Sequence, residues 1–299
     1  MAADVVSYGG WKKNLRLANR EIELIVTAEV GPRIIRLGFL GGPNEFAEYP
    51  AQIGQTGGDQ WRIYGGHRLW HAPEAIPRTY YPDNSPVEWQ SEGEGLCVST
   101  PAEPTTGIAK AMRIWLDQAS NHVHLVHRLT NRGAWPVTLA AWALTVMAPG
   151  GRAIIPQEAY GSHAEYLLPA RPLVLWRYTD MSDPRFTWGR RFIQLRQDRK
   201  YTEPLKLGAL NTLGWAAYEN GGRLFIKRFA CEQRATYLDY GCNCETFTDS
   251  NMLEVESLSP IVALEPGASI EHEEHWYLHR DVRLGSTDES IGAALDPLL

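Results

Sequence analysis

Hydrophobic and polar residues alternate with a period of two along most of this chain, in short runs bounded by Gly, Pro, Asn or Asp. Such runs are typical of β-strands that bury one face, and their close spacing leaves little room for long helices. The 27 Gly and 19 Pro among 299 residues agree with this frequent interruption. The pattern predicts an all-β fold. The predicted strands cover residues 20–26, 33–39, 112–117, 122–131, 137–147, 153–156, 173–176, 192–195, 214–218, 224–229, 236–241, 252–257 and 270–278.

Two local signals refine this prediction. The Asn-Gly-Gly sequence at 220–222 lies between two predicted strands and is typical of a hairpin turn. Only the end of the chain has a helical pattern, because residues 286–289 fit a capping box that precedes the apolar positions of 291–295. We therefore expect a hairpin at 220–222 and a short C-terminal helix.

The organisation of the chain predicts a single large domain. No Pro- or Ser-rich linker, composition shift or internal repeat divides residues 1–299. The expected architecture is two packed antiparallel sheets, with a core over about residues 14–280 and a tail over 281–299.

The charge balance excludes some classes of partner. The chain has 29 Lys and Arg against 35 Asp and Glu, a formal net charge of −6. A protein that coats nucleic acid or an anionic membrane needs a basic excess, so neither partner is expected. The first residues lack an apolar segment, and the longest apolar stretch, 137–149, is too short to span a bilayer. The expected location is the cytoplasm.

Several common signatures are absent from the sequence. It contains no G-x-G-x-x-G, no G-x-x-x-x-G-K-[ST], no G-x-S-x-G and no H-E-x-x-H. Dinucleotide, P-loop, α/β-hydrolase and zincin readings therefore lose their usual support. We predict a protein that needs no cofactor.

The possible metal ligands do not form a recognisable motif. The four cysteines are too few for a disulfide scaffold, and the C-x-C pair at 242–244 lacks zinc-ribbon spacing. His272 and His275 are three residues apart and would lie on opposite faces of a strand. His122 and His124 would share a face, but no third ligand has a recognisable spacing. No metal site is predicted.

The densest group of candidate site residues lies at 64–74. Gly65 and Gly66 allow a sharp turn, so we interpret the segment as a loop that surrounds a small ligand. Its polar and aromatic candidates are Tyr64, His67, Arg68, Trp70 and His71. Asp83 and Asn84 follow and could form the rim of the same pocket.

A second candidate site is the predicted strand at 252–257. In a strand, Glu254 and Glu256 point one way while Leu253 and Val255 point the other. Two carboxylates on one face repel each other, so one would have a raised pKa if the face lines a cleft. A third candidate is the loop that contains His163.

Three stretches resemble the galactose mutarotase-like (aldose 1-epimerase-like) superfamily. LRLANREIELIVTAEVGPRIIRL at 15–37 is similar to its first two strands, and HLVHRLTNRGAWPVTLAAWALTV at 124–146 to its central strand pair. MLEVESLSPIVALEPGASIEHEEHWYL at 252–278 is similar to its closing strands, and the likeness runs in order over roughly residues 14–280. The resemblance implies a single antiparallel β-supersandwich that binds a monosaccharide or sugar acid on a concave sheet face.

The resemblance also implies an acid–base mechanism at the anomeric centre. A strand Glu of the family takes the proton of the anomeric hydroxyl while a His protonates the ring oxygen. By motif position Glu256 would be the base and Glu254 its neighbour. The strand that carries the family's acid reads AWALT at 141–145 here and has no His. The acid would then be His67, His71 or His163. The substrate-binding residues would be Tyr64, Arg68, Trp70, Asp83, Asn84 and Glu254.

Three alternatives remain open at this stage. Loss of the strand His favours a carbohydrate-binding or sensing domain without catalysis. A lyase or glycoside-processing enzyme on the same fold could use Tyr64, Arg68 and His71. A metal-dependent enzyme would use His122 and His124.

Overall fold

The computed structural model describes residues 3–299, and almost all of its regular secondary structure is β-strand. A single α-helix, α1 (Asp288–Leu295), and a 3₁₀ turn (Asp296–Leu298) follow the last strand. The strands are β1 (Asp4–Tyr8), β2 (Trp11–Ala18), β3 (Ile22–Thr27), β4 (Arg33–Phe39), β5 (Gly66–Ala72), β6 (Glu88–Glu92), β7 (Gly95–Ser99), β8 (Ile108–Leu116), β9 (His122–Asn131), β10 (Val137–Met147), β11 (Arg152–Pro156), β12 (Leu173–Leu175), β13 (Phe186–Trp188), β14 (Phe192–Arg196), β15 (Leu205–Ala209), β16 (Trp215–Asn220), β17 (Arg223–Phe229), β18 (Cys244–Thr248), β19 (Leu253–Leu258), β20 (Val262–Leu264) and β21 (Ser269–Arg280).

The strands form two large sheets. An eleven-stranded sheet has the order β1-β2-β3-β4-β5-β10-β19-β18-β15-β12, with β20 paired to β10 beside this path. A ten-stranded sheet has the order β13-β14-β11-β16-β17-β21-β9-β8-β7-β6. The strand pairs described for the chain are antiparallel, as expected for alternating sequences joined by short turns. Both sheets contribute to one continuous apolar core, to which β3, β5, β9 and β21 supply Leu24, Leu69, Leu125 and Leu278.

The period-two prediction is confirmed for most strands. The expected strands at 33–39, 122–131 and 137–147 coincide with β4, β9 and β10. The hairpin at 220–222 joins β16 to β17, where Asn220 pairs with Arg223. Gly221 and Gly222 have φ of 58° and 80°, the left-handed backbone that a two-residue hairpin turn requires.

The C-terminal helix is also present, with a cap one residue later than expected. Thr287, not Ser286, is the N-cap residue, and its side chain accepts a hydrogen bond from the backbone of Ser290. The Ser290 side chain completes the capping box in place of Glu289. Ile291 and Leu295 are one turn apart and pack on the outer face of the ten-stranded sheet. No helix within residues 3–299 has the length and apolar character needed to cross a membrane.

Two local predictions are wrong. Residues 236–241 form turns instead of a strand, and Asp239 and Tyr240 have φ of 49° and 59°, which strand geometry does not allow. The segment 64–74 is not a loop, because its centre is strand β5. Every residue of β5 is buried, so the polar residues that looked like a loop occupy both faces of a central strand.

Candidate functional site

A cavity of about 520 Å³ lies on the outer face of the eleven-stranded sheet. We call it the sheet cavity. Its floor consists of side chains from β5, β10, β15, β18 and β19, and its walls come from the connecting segments. The residues that line it are Tyr49, Trp61, Ile63, Arg68, Trp70, Glu74, Tyr80, Trp142, Leu144, Tyr178, Pro204, Lys206, Phe247, Asp249, Asn251, Met252 and Glu254.

Strand register brings the floor residues together from distant parts of the sequence. Trp142 of β10 lies opposite Trp70 of β5, and Leu144 lies opposite Arg68 on one side and Glu256 of β19 on the other. Neighbouring residues along each strand point away from the cavity into the core, as the pleat of a strand requires. Glu254 and Glu256 share the outward face, which confirms the alternation expected for residues 252–257.

An ion pair occupies one side of the floor. Nη1 of Arg68 donates a hydrogen bond to Oε1 of Glu254 at 2.8 Å, and both side chains are more than nine-tenths buried. The Arg68 guanidinium also lies 4.3 Å from the centre of the Trp70 ring, a cation–π contact. Oε2 of Glu254 makes no hydrogen bond to any residue between 3 and 299. Glu254 therefore lines the cavity with one oxygen held and the other available.

A cation with two carboxylates occupies the other side of the floor. Nζ of Lys206 lies 2.8 Å from Oε2 of Glu245 and 3.2 Å from Oε2 of Glu256. Nε1 of Trp142 donates to the same Glu256 oxygen at 2.9 Å, and the ammonium also lies 4.5 Å from the centre of the Trp142 ring. Glu245 and Glu256 are fully buried beneath the cavity, whereas Lys206 and Trp142 line it.

Burial and mutual attraction set the protonation of Glu245, Glu256 and Lys206. Burial raises the pKa of both Glu245 and Glu256, and the nearby Lys206 ammonium only partly opposes it. Oε1 of each carboxyl has no hydrogen-bond partner in the described part of the chain. For Lys206, burial lowers the pKa, but the attraction of Glu256 and Glu245 outweighs burial and raises it. The ammonium therefore stays charged.

Aromatic rings form the walls. The centres of Trp61 and Tyr80 are 5.3 Å apart, and each ring also packs against Trp70, at 5.4 Å and 4.9 Å respectively. Nε1 of Trp61 and of Trp70 lack a partner among residues 3–299. Both nitrogen atoms are buried, so these two side chains offer a ligand their ring faces and not their N–H donors. A second cavity of about 440 Å³ shares Glu74, Tyr80, Trp142 and Lys206 with the first.

The histidines proposed as acids do not line the sheet cavity. His67 points into the core, where its Nδ1 lies 2.8 Å from Oγ1 of Thr145 and its Nε2 lies 2.7 Å from Nε2 of His127. His71 also points inward, and its Nε2 lies 3.2 Å from Glu103. Burial lowers the pKa of both histidines. His163 lies in an exposed turn between β11 and β12.

Three of the expected substrate-binding residues are also elsewhere. Tyr64 is buried, and its hydroxyl donates to Oδ1 of Asn84 at 2.9 Å. Asp83 forms a buried ion pair with Lys110 at 3.1 Å. The geometry therefore does not bring Tyr64, Asp83 or Asn84 to the cavity, whereas Arg68, Trp70 and Glu254 do line it.

Lys206 and Glu245 were not predicted from the sequence to belong to the site. Lys206 lies between two leucines in β15, and Glu245 follows Cys244 in β18. A lone charged residue inside an apolar strand is a signal for a buried ion pair, because an unpaired buried charge is costly. Finding the partner required the sheet order, which places β15 beside β18 and β18 beside β19.

A polar network crosses the core behind the cavity. Nδ1 of His127 lies 2.9 Å from the carbonyl oxygen of His272, which can only accept, so His127 carries its proton on Nδ1. Its Nε2 then accepts from His67, and His67 in turn accepts from Thr145. With both imidazoles neutral, each of these three hydrogen bonds has one donor and one acceptor. The carbonyl oxygen of His272 therefore fixes the tautomers of both His127 and His67.

The network continues to a buried ion pair between the sheets. Nε2 of His272 lies 2.6 Å from Oγ of Ser257, which donates to Oε1 of Glu274. Nζ of Lys227 lies 2.9 Å from the same carboxylate, and Nε1 of Trp276 donates to the other oxygen at 2.8 Å. Burial favours neutral Glu274, but the Lys227 ammonium and the hydrogen bond from Ser257 outweigh it and lower the pKa of the carboxyl.

Comparison with known proteins identifies the fold. No protein-family model and no curated protein matches the sequence. Among solved structures, a galactose mutarotase-like protein from Lactobacillus casei has a TM-score of 0.58 at 8% identity, covering 89% of this chain and 100% of that one. A candidate aldose 1-epimerase from Klebsiella pneumoniae has a TM-score of 0.62 at 13% identity, covering 99% and 86%. A galactose mutarotase-like protein from Clostridium acetobutylicum has a TM-score of 0.55 at 9% identity, covering 93% and 98%.

These likenesses confirm the resemblance inferred from the sequence at the level of the fold. The chain has the galactose mutarotase-like fold, with two large antiparallel sheets and a short C-terminal helix.

Proposed function

We propose that this protein of galactose mutarotase-like fold binds a monosaccharide in the sheet cavity and catalyses acid–base chemistry at its anomeric carbon. The observation that carries the proposal is Glu254, a carboxylate with one oxygen held by Arg68 and one free, at the floor of an aromatic-walled cavity. A carboxylate held in place can take the proton of a sugar hydroxyl that binds within hydrogen-bond reach of its free oxygen.

The walls suit a sugar ring. Trp61, Trp70 and Tyr80 present flat apolar surfaces, which stack on the C–H faces of a pyranose. The volume of about 520 Å³ is within the range of small-molecule sites. The adjoining cavity leaves room for a substituent beyond the ring.

The charge of the lining favours a neutral sugar over a sugar acid. Its cations, Arg68 and Lys206, are both paired with carboxylates. The acidic residues of the lining are Glu74, Asp249 and Glu254. Among the described residues that line the cavity, no unpaired cation is left to neutralise a uronate or phosphate, whereas paired charges can still orient hydroxyl groups.

The proposed reaction is ring opening and closure. Glu254 takes the proton of the anomeric hydroxyl, the bond between the anomeric carbon and the ring oxygen breaks, and the ring oxygen takes a proton from Lys206. Rotation of the resulting aldehyde and reversal of both proton transfers give the other anomer. Glu254 is preferred over Glu256 because Glu256 is fully buried and its Oε2 is already engaged by Trp142 and Lys206.

Exchange NMR of the two anomers, with a panel of neutral aldoses and uronic acids, tests the proposal. Wild-type protein should accelerate interconversion of a neutral aldose, and Glu254→Gln should lower the rate by about 10²–10⁴-fold. Glu271→Gln, an exposed carboxylate on the opposite sheet, is the matched control and should leave the rate unchanged. Circular dichroism of each variant verifies folding. Activity that survives in Glu254→Gln but is lost in Glu256→Gln would refute the choice of base.

A second candidate function is carbohydrate binding without catalysis. It is favoured by the lining of the sheet cavity, which contains no histidine in the described chain, and by the raised pKa of Lys206, which makes it a weak acid. The same experiment separates the two functions, because a binding protein broadens the sugar resonances without interconverting the anomers. The lyase alternative loses its support, since Tyr64 and His71 point away from the cavity that Arg68 lines.

A further inference from the structure

The outer face of the ten-stranded sheet carries a cluster of imidazole and carboxylate side chains far from the proposed sugar site in the fold. His122 and His124 extend outward from β9, and Glu273 and His275 extend outward from the adjacent β21. His275 pairs directly with His124 in the strand register. We call these four residues the histidine cluster. The third ligand that sequence spacing did not reveal comes from the neighbouring strand.

Three ligating atoms converge in this cluster. Those of His124, Glu273 and His275 all lie within 4.8 Å of one another. Oε1 of Glu273 lies 3.3 Å from Nε2 of His275 and 2.5 Å from Nε2 of His124. Two ligands of a tetrahedral zinc ion lie roughly 3.3 Å apart, because each bond is about 2.0–2.1 Å long. The first distance already fits, and the second requires a shift of less than about 1 Å.

We propose that His124, Glu273 and His275 form a binding site for a divalent transition-metal ion. Two imidazole nitrogens and one carboxylate oxygen are the donor set of many three-ligand zinc sites. Imidazole suits Zn²⁺, Cu²⁺ and Ni²⁺ better than Mg²⁺ or Ca²⁺, which prefer oxygen ligands. The side chains are between about a third and a half exposed, so the remaining coordination position would be open to water or to an external ligand.

The rings are held in place before any ion binds. The stack His124–His275–His122–Tyr277 has centroid separations of 4.6, 5.1 and 4.6 Å, and Trp115 covers the far side of His124 at 4.9 Å. Stacked neighbours restrict each imidazole to a narrow range of orientations. Less conformational entropy is then lost when the ligands close on a metal.

His122 would serve as an outer partner of the site. Its Nε2 lies 2.9 Å from Nδ1 of His275. If Nδ1 of His275 donates this bond, the Nε2 lone pair of His275 faces Glu273 and is available to the metal. Such a hydrogen bond to the second ring nitrogen is the usual way in which proteins fix the tautomer of a metal-binding histidine.

The buried group His67, His127 and Glu274 also has three close ligand atoms, but it does not support the same inference. The Lys227 ammonium already lies 2.9 Å from Glu274, and the two Nε2 atoms of the histidines share a hydrogen bond at 2.7 Å. A dication there would lie beside a buried ammonium. The outer cluster has no such competing cation in contact with Glu273 among the described residues.

Metal titration of tag-free, full-length protein tests the proposal. Zn²⁺ is titrated against a chromophoric chelator to give stoichiometry and affinity, and Co²⁺ is added separately because its visible absorption reports the geometry of its ligands. The wild type should bind one ion, and Co²⁺ should give the intense bands of a site of low coordination number. His124→Gln, Glu273→Gln and His275→Gln should each weaken binding by more than about 100-fold, and His122→Gln by about 10–100-fold.

Matched controls separate the cluster from general surface binding. His163→Gln removes an exposed histidine elsewhere, and Glu271→Gln removes the preceding outward carboxylate of the same strand. Both should bind Zn²⁺ as the wild type does. Absence of stoichiometric binding by the wild type, or an affinity that is unchanged in the three ligand variants, would overturn the proposal. Because the cluster lies on the other sheet, this result is independent of the sugar-binding experiments.

Discussion

The ion pair between Lys227 and Glu274 gives the sharpest test of how the two sheets are held together. Both side chains are fully buried, and Nζ of Lys227 also donates to the carbonyl oxygens of Ala143 and Val255, at 3.3 and 3.1 Å. Ala143 and Val255 lie on β10 and β19 of the eleven-stranded sheet, whereas Lys227 lies on β17 of the ten-stranded sheet. Lys227→Met preserves much of the side-chain volume but removes the charge and its donors.

The expected loss of stability in Lys227→Met comes from the groups that lose Lys227 as their partner. Removing one partner of a buried ion pair typically destabilises a protein by about 3–5 kcal/mol, because the other charge loses its compensation. The carbonyl acceptors of Ala143 and Val255 add about 1 kcal/mol each if they stay unpaired. A domain is stable by about 5–15 kcal/mol, so Lys227→Met should lose a large part of its stability. The double variant Lys227→Met/Glu274→Gln leaves no unpaired charge and should be more stable than the single one.

The pH dependence provides a signature that lost packing alone would not produce. In the wild type the pKa of Glu274 is lowered, so its contribution is present above the unfolded value of about 4.3 and is lost as the pH falls through the folded value. Without Lys227, burial dominates and raises this pKa. The contribution of Glu274 is then present below about pH 4.3 and is lost as the pH rises through the new folded value.

Urea unfolding of the wild type, Lys227→Met and the double variant at about pH 5 and about pH 8 measures these differences. The stability gap between the wild type and Lys227→Met should be wider at the higher pH, and the double variant should reduce that change. A gap that is independent of pH, or a double variant less stable than the single one, would refute the argument from an uncompensated charge.

Three further predictions concern other parts of the fold. Gly65→Ala should destabilise the protein by about 3 kcal/mol or more in urea unfolding, because φ is +103° and an added Cβ would lie 2.0 Å from the carbonyl oxygen of Ala47. Gly150→Ala, where φ is also positive but nothing lies near the added Cβ, should cost less and is its control. Thr287→Ala should lower stability by about 1 kcal/mol through loss of the N-cap, while Thr287→Ser should not. Burial raises the pKa of Glu245 to about 8. The contribution of this carboxyl to the stability of the folded state is therefore present below about pH 4.3 and lost as the pH rises through about 8. In thermal unfolding, the wild type should lose stability relative to Glu245→Gln between about pH 6 and about pH 9.

Most features that depend on neighbouring residues in the sequence were predicted correctly, and features that depend on distant residues were not. The outward alternation of Glu254 and Glu256 depends only on the pleat of one strand, so a period of two was sufficient to predict it. Strand β5 has no such alternation, because Arg68 and Trp70 face the cavity while His67 and His71 meet polar partners in the core. Polar residues on both faces resemble a loop when their partners are unknown.

The partners themselves depend on sheet order. Arg68 and Glu254 are 186 residues apart, and β10 lies between their strands. No local pattern in the sequence encodes that juxtaposition. The same reason explains the histidine cluster, in which the missing ligands for His124 come from a strand almost 150 residues further along the chain, at a separation of 149 for Glu273.

The central strands of the eleven-stranded sheet limit how this protein could acquire a new specificity. Along β5, β10 and β19, each residue that faces the cavity is next to one that faces the core, as Arg68 is next to His67, and Glu256 next to Ser257. A backbone shift that accommodates a new floor residue would also disturb the hydrogen bonds behind it. The wall residues Trp61, Tyr80 and Tyr178 lie outside the strands and are free of this constraint. Libraries that vary the walls should therefore yield more folded variants with altered ligand preference than libraries that vary the floor, and divergence within this architecture should concentrate in its connecting segments.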